Sequence, residues 1–395
     1  MMDLKNKRIA VFGMGVSGIS ALRLLKWLGV NIIAINSGDV HTWAKNPGVL
    51  EFVSLNQCYA ENELTLVEEL ATVDLVILSP GIPRDHSLLL PLIKKGVAVY
   101  GELELAFRTL ESQHKLKPII GITGTNGKTT TTTFLGEMIK ADHKKVFVGG
   151  NIGVPFCDYA MDVLAGKEEV DYILLELSSF QLESIDHFHV NIALFLNLYQ
   201  NHGERYHSIE DYGRSKFLIT NRFTKDDLLI YPSDFPFVAH WAQGQVGRKQ
   251  SVNTASPEAS YKLDHFKLPG IHNRVNLNFI LLVAQELQLN PKAIQKCIDT
   301  FPGVHHRIEY VETSLGFKVY NDAKSTNWDA TLTAVKAMED MLGPLYLIIG
   351  GKKRGHGDSI LPYLDFFKAR VECLYLIGEM AHEIEAEVKG KMTYK

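Results

Sequence analysis

A surplus of positive charge is missing from this sequence. Its 395 residues hold 41 lysines and arginines against 45 aspartates and glutamates, a formal net charge of −4. Nucleic acid is therefore not expected as the main partner, because phosphate-backbone binding draws on a basic field. Paired cysteines are missing too. The four present, Cys58, Cys157, Cys297 and Cys373, lie far apart and match no metal or redox spacing, so free thiols in a reducing cytosol are expected. No apolar run approaches the ~18 residues that a membrane span requires. The opening Met1-Met2-Asp3-Leu4-Lys5-Asn6-Lys7-Arg8 carries no signal-peptide apolar region. A cytosolic protein without a membrane span is the expectation.

What is present is a globular composition, 46% apolar and 22% charged, on a chain too long for one core. Two or three domains are expected. The most telling stretch is Pro118-Ile119-Ile120-Gly121-Ile122-Thr123-Gly124-Thr125-Asn126-Gly127-Lys128-Thr129-Thr130-Thr131. A short apolar run breaks into glycines, meets a lysine and hydroxyls, and continues as a helix pattern through Phe134, Leu135, Met138 and Ile139. This reads as a strand, a phosphate-cradling loop and a helix N-terminus. Backbone N–H groups and the positive helix end face the anion, Lys128 adds a point charge, and the Thr129 hydroxyl can ligate Mg²⁺. The general P-loop formula wants glycine where this chain has Ile122, so the loop is a shorter variant.

Taken in order, the chain reads as three α/β segments. Residues 8–12 form a strand before Gly13-Met14-Gly15-Val16-Ser17-Gly18, a helix ending at Gly29 and a second strand over 30–35. That is a βαβ unit with GxGxxG at its first turn. The second strand ends in Asn36-Ser37 rather than in the acid that would hold a ribose, which favours a Rossmann-like nucleotide site over NAD. For Gly18, tight helix–strand packing is the other reading. A strand over 73–78 runs into Ser79-Pro80-Gly81-Ile82-Pro83, a turn at the strand end where open sheets bind ligands. A polar linker over 111–118 leads to the phosphate loop. After it come a strand and the glycine turn Gly149-Gly150-Asn151, then the strand 171–177 bearing Glu176 and Ser178 just beyond. A strand-end carboxylate can serve Mg²⁺ beside a phosphate loop, or stand merely solvated. His202 follows another strand, Lys216 lies on a helix, and Asn273 and Asn276 share one helix face. The third segment carries Arg307, the loop Asn321-Asp322-Ala323-Lys324-Ser325-Thr326-Asn327, a buried strand over 345–349 and a polar turn with Arg354.

The phosphate loop resembles those of the Mur ligases and the folylpolyglutamate synthetases, and the motifs in their order, from Ile9 to about Gly378, resemble the Mur ligase family. Ser79-Pro80-Gly81-Ile82 and the 321–327 loop point to the branch that adds D-glutamate to UDP-N-acetylmuramoyl-L-alanine in peptidoglycan synthesis. The resemblance implies a Rossmann-like UDP-substrate domain (1–111), a central P-loop-type ATPase domain with a mostly parallel sheet (112–301) and a C-terminal Rossmann-like domain (302–395). It implies an acyl-phosphate made from ATP, then attack by the D-glutamate amine. Carried over by position, Gly124, Thr125, Asn126, Gly127, Lys128, Thr129, Thr130, Thr131, Asn273, Arg307 and Asp322 would hold ATP. Gly15, Ser17, Gly18, Asn36, Ser37, Ser79, Pro80, Gly81, Asn151 and Ser178 would hold the UDP-substrate. Lys324, Thr326 and Arg354 would hold D-glutamate. Two Mg²⁺ ions would be shared by Thr129, Glu176, His202 and Lys216, the last as a carbamate, and a monomer is expected.

Three departures accompany the resemblance. Asn201 stands where the family usually has aspartate before the metal histidine, and Arg354 stands for a family lysine. The chain also stops after the helix reaching about Val388, short of a family segment with a further strand. A labile third domain with weak D-glutamate affinity is expected on that ground. A folylpolyglutamate synthetase, a P-loop NTPase that switches a partner, and a ligase-like binder without turnover are the competing readings. The N-terminal GxGxxG segment argues against the first and Ile122 against the second.

Overall fold

The computed structural model describes residues 4, 6–43, 45–47, 49–50, 57–203, 205–257, 260–325, 328–339, 341–352 and 359–395. They divide into two compact units, Met1–Ser256 with Phe279–Ile294, and Pro257–Asn278 with Gln295–Lys395.

The first unit contains two parallel sheets. Strands β1 (Arg8–Phe12), β2 (Asn31–Asn36), β3 (Cys58–Ala60), β4 (Leu75–Leu78) and β5 (Ala98–Gly101) lie in the order β3-β2-β1-β4-β5. Their centres are apolar runs buried on both faces, as a parallel sheet covered on both sides demands. The chain winds outward from β1 to β3 and then returns to β4, so the switch point lies between β1 and β4. The glycine turn and the Ser79 turn meet there. Gly13 has φ +90°, and a Cβ on it would fall 2.7 Å from that of Ser79. A Cβ on Gly18 would lie 1.8 Å from the Gly13 carbonyl oxygen, which accepts the Ser79 hydroxyl at 2.8 Å. Both glycines thus permit a close helix–strand crossing.

The second sheet joins β6 (Ile119–Thr123), β7 (Val146–Gly150), β8 (Tyr172–Glu176), β9 (Ile192–Phe195), β10 (Leu228–Pro232) and β11 (Arg248–Val252), in the order β11-β10-β9-β6-β8-β7. All its pairings are parallel. Ile122 on β6 pairs with Glu176 on β8, so the phosphate loop and the acid emerge side by side at the carboxyl ends of adjacent strands.

The two sheets share one apolar core. Leu22 and Leu25 of the helix Val16–Trp27, Phe107 and Leu110 of the helix Glu102–Ser112, and Phe156 and Val163 of the helix Phe156–Leu164 all belong to it. Polar contacts fix the same packing. The Ser20 hydroxyl donates to Asp158 at 2.8 Å. Glu104, wholly buried, accepts the backbone N–H groups of Asp186, His187 and Phe188 at 2.8 Å each, and the Arg108 side chain as well. Without that carboxylate three N–H groups would lose a partner, at roughly 1–3 kcal/mol for each one left buried and unmade.

The second unit holds an antiparallel pair, β12 (Glu309–Val311) with β13 (Val319–Asn321), and a parallel pair, β14 (Leu345–Gly350) with β15 (Val371–Ile377). Ile360, Leu364, Phe367, Leu374, Ile384 and Val388 bury against one another beside β15. Beyond the last helix, the Leu374 N–H donates to the Thr393 carbonyl and the Lys395 N–H to that of Leu374, so residues 393–395 run along β15.

One expectation fails here. The strand over 345–349 is not buried but alternates, with Tyr346 55% and Ile348 68% exposed. Leu345, Leu347 and Ile349 on one face pack on the core beside β15, while Tyr346 and Ile348 on the other stand exposed. The pattern also gave no sign of β10 or β11. The first ends in Pro232, which reads as a breaker, and the second is a polar edge strand of sequence Arg-Lys-Gln-Ser-Val.

Candidate active site

The phosphate loop sits between β6 and the helix Lys128–Ala141. Gly124 has φ +148° and Gly127 φ +81°, conformations that L side chains rarely adopt. A Cβ on Gly124 would come 3.0 Å from that of Leu196, so the loop lies hard against the end of β9. The Lys128 ammonium donates to the carbonyls of Gly124 at 2.9 Å and Thr125 at 2.8 Å. A helix N-terminus after such a glycine loop is the ordinary seat for a phosphate, because first-turn N–H groups in general can turn to an anion.

Glu176 is 2% exposed and receives two donors. The Thr129 hydroxyl bonds Oε2 at 2.8 Å, and the Asn151 amide bonds Oε1 at 2.8 Å. Two of the expected residues thus share the carboxylate of a third. A Cβ on Gly150 would stand 2.5 Å from the Glu176 carbonyl, which is why glycine precedes Asn151.

Lys216 comes in from the helix Ile209–Phe217 and is 1% exposed. Its ammonium donates to the Gly124 carbonyl at 2.9 Å and lies 4.3 Å from the centre of the Tyr212 ring. Burial, and then the Lys128 cation, push its pKa well below the ordinary lysine value, with Glu176 pulling the other way. His202 packs on the same ring, 5.8 Å between centroids, and on Phe180 at 4.8 Å. Its φ of +56° is a left-handed conformation, and its N–H bonds the Asn201 side chain at 2.9 Å.

Other expected residues are arranged less simply. Thr131 is fully buried, so its side chain presents no surface to a ligand, while Thr130 is half-buried. Ser178 caps the short helix Ser179–Leu182 through Gln181. The Ser79 hydroxyl is spent on Gly13, Gly18 is buried, and Asn36 accepts the Met14 N–H at 3.1 Å. Gly15, Ser37 and Gly81 are exposed and Ser17 half-buried around the same switch point. Pro80 lines a cleft with Leu78, Gly101, Phe180 and Gln181.

Asn273, Arg307, Asp322 and Lys324 belong to the second unit. There Asp322 accepts the Ile308 N–H at 3.0 Å and the Lys324 N–H donates to the His306 carbonyl at 3.0 Å, so the 321–325 loop lies on the turn bearing Arg307. Burial raises the Asp322 pKa, opposed by the Ile308 N–H and by Arg307. Asn273 is 6% exposed and donates to the Pro269 carbonyl at 2.7 Å. Thr326 and Arg354 lie outside the described residues.

This geometry has known relatives. A family model described as the Mur ligase middle domain matches residues 122–290. The UDP-N-acetylmuramoylalanine--D-glutamate ligase of Alkaliphilus metalliredigens (strain QYMF) is 35% identical over 408 residues, which cover 97% of this chain and 85% of that one. The protein of the same name from Thermoanaerobacter pseudethanolicus (strain ATCC 33223 / 39E) is 33% identical over 416 residues, covering 100% and 87%. The chain belongs to the UDP-N-acetylmuramoylalanine--D-glutamate ligase family. Its fold is also like that of the solved MurF ligase from Thermotoga maritima in complex with ADP. That match has a TM-score of 0.57 at 14% identity, over 100% of this chain and 89% of the other.

For a member of this family, the sequence reading missed one residue at the loop. Asn197, just past β9, accepts the N–H groups of Thr125 at 3.1 Å and Asn126 at 2.9 Å on Oδ1, and its amide donates to the Asn126 carbonyl at 3.0 Å. It shapes the loop without belonging to it. Nothing in the local pattern marks an asparagine at a strand end as such a brace. Asn197→Ala is expected to lower kcat/KM for ATP by about 10- to 100-fold, the scale of a small misplacement of reacting groups. Steady-state kinetics should show this with the KM for D-glutamate and the thermal midpoint little changed. Kinetics within twofold of wild type would remove Asn197 from the site.

Proposed function

We propose that this chain is an ATP-dependent ligase that joins D-glutamate to UDP-N-acetylmuramoyl-L-alanine in peptidoglycan synthesis, as a cytoplasmic monomer. The observation that carries the reading is Glu176, a buried carboxylate set beside the phosphate loop and bonded to Thr129 and Asn151. The names of the relatives supply the substrates.

In this reading the acceptor's alanyl carboxylate attacks the γ-phosphorus of ATP, forming a C–O–P bond as ADP departs. The D-glutamate amine then adds to the acyl carbon. The tetrahedral intermediate collapses to the amide, releasing inorganic phosphate, and the nitrogen loses a proton. Lys128 and the loop amides hold the charge that develops on the transferred phosphoryl group, where positioning and electrostatics supply most of the catalysis. The Thr129 hydroxyl and the Glu176 carboxylate, 2.8 Å apart, are hard oxygen donors of the kind Mg²⁺ takes. His202 and Lys216, which both lie against the Tyr212 ring, are assigned a second ion. Such ions, when bound, would supply charge neutralisation at the phosphates.

Residues 1–111 are assigned the UDP-substrate, with Gly15, Ser17, Asn36, Ser37 and Pro80 around the switch point. Residues 112–301 are assigned ATP and residues 302–395 the closing domain. Asn273, Arg307 and Asp322 are assigned nucleotide contacts, and Lys324, Thr326 and Arg354 the D-glutamate carboxylates.

Phosphate release tests the reading. It is expected to require ATP, Mg²⁺ and UDP-N-acetylmuramoyl-L-alanine together, with amide formed from D-glutamate and not from L-glutamate. Lys128→Ala is expected to lower turnover at least ~10²-fold while UDP-substrate binding survives. Rapid hydrolysis of ATP without acceptor, or amide from L-glutamate and a folate, would replace the ligase by one of its competitors.

Lys216 carries a separate expectation. Its neutral amine can add CO₂, losing a proton to give a carbamate whose oxygens can reach a metal. Lys216→Ala should be nearly inactive and partly restored by added short carboxylic acids. Equal activity with and without such acids would count against the carbamate.

A further inference from the structure

Among the described residues, one group of three metal-competent side chains converges, and it belongs to the second unit, whereas the phosphate loop belongs to the first. His305, His306 and Glu309 each offer a ligand atom, all within 4.8 Å of one another. We propose that these three residues form a binding site for a divalent transition-metal ion of the zinc class.

The site is built by a tight turn. The Arg307 N–H donates to the Val304 carbonyl at 2.9 Å, and His306 and Ile308 have φ of +62° and +47°. The two imidazoles thereby lie close together, tilted by 40° with centroids 3.7 Å apart. Glu309 opens β12 and reaches back across the turn. Its Oε1 bonds His305 Nδ1 at 2.9 Å, and its Oε2 accepts the His306 N–H at 3.0 Å. Asn321, on the paired strand β13, bonds His306 Nδ1 at 2.8 Å and Glu309 Oε2 at 3.4 Å. The Asn321 amide is the donor in both bonds, so His306 Nδ1 accepts and keeps the lone pair a metal would take.

The donor set decides the ion. Two imidazoles and a carboxylate on an open surface suit zinc, with water completing a tetrahedron, whereas Mg²⁺ prefers oxygen throughout. Both histidines are exposed, His305 with 74% of its side chain, so entry is unobstructed. An ion here would brace the turn that carries Arg307. On the function proposed above, that turn touches nucleotide, so occupancy should also slow turnover. The binding itself stands apart from that reading.

The test is calorimetric titration of the full chain with Zn²⁺ alone, in a non-coordinating buffer and excess Mg²⁺, without nucleotide. His305→Ala and the double variant His305→Ala/His306→Ala remove exposed side chains, and circular dichroism confirms their fold. The wild type is expected to bind one more zinc equivalent than the double variant. His305→Ala should weaken that site by at least ~10-fold, the lower end of what even an outer-support change costs. Equal stoichiometry and affinity in wild type and double variant, or displacement of the bound zinc by Mg²⁺, would overturn the assignment.

Discussion

One carbonyl oxygen ties the catalytic parts together. Gly124 O receives the ammonium groups of both Lys128 and Lys216. Two cations on one acceptor repel, and Lys216 is in addition stripped of water, so the arrangement favours a lysine that gives up its proton. The loop cannot slide away to relieve this. A glycine without a Cβ at position 124 already lies against Leu196, and Asn197 grips the next two amides. The helix Ile209–Phe217 is thereby coupled to the phosphate loop through the Lys216–Gly124 bond, and the loop to Glu176 through Thr129.

The same constraint explains how local and distant residues divide the work. The loop, the acid of β8 and the glycine turn after β7 are neighbours only because β6, β7 and β8 are adjacent parallel strands with their carboxyl ends together. That sheet is in turn fixed to the first one by a shared apolar core and by Glu104, which closes three backbone donors some eighty residues on. Burying a carboxylate is costly unless it is fully bonded, and here it is.

Those parts that depend on short-range pattern were legible. Glycines, a lysine and hydroxyls after an apolar run predict a phosphate loop, and a strand ending in Glu176 predicts a carboxylate beside it. What was not legible depends on partners far along the chain. Asn197 is one asparagine among many until β9 is placed next to β6. Thr131 looks like one more loop hydroxyl until the helix turns it inward. The strand β11 shows no apolar pattern because it is a polar edge, and the half-exposed β14 looked buried because its outer face is also apolar. The pairing of His305, His306 and Glu309 needed a tight turn that the sequence Val-His-His-Arg does not announce.

The central claim is that the phosphate loop transfers a phosphoryl group to a carboxylate rather than to water. The most direct measurement uses UDP-N-acetylmuramoyl-L-alanine labelled with ¹⁸O in its alanyl carboxylate, turned over with ATP and D-glutamate. Phosphoryl transfer to the carboxylate predicts one labelled oxygen in the inorganic phosphate for each amide formed. Amide formation with all of the label left in the organic product would contradict it.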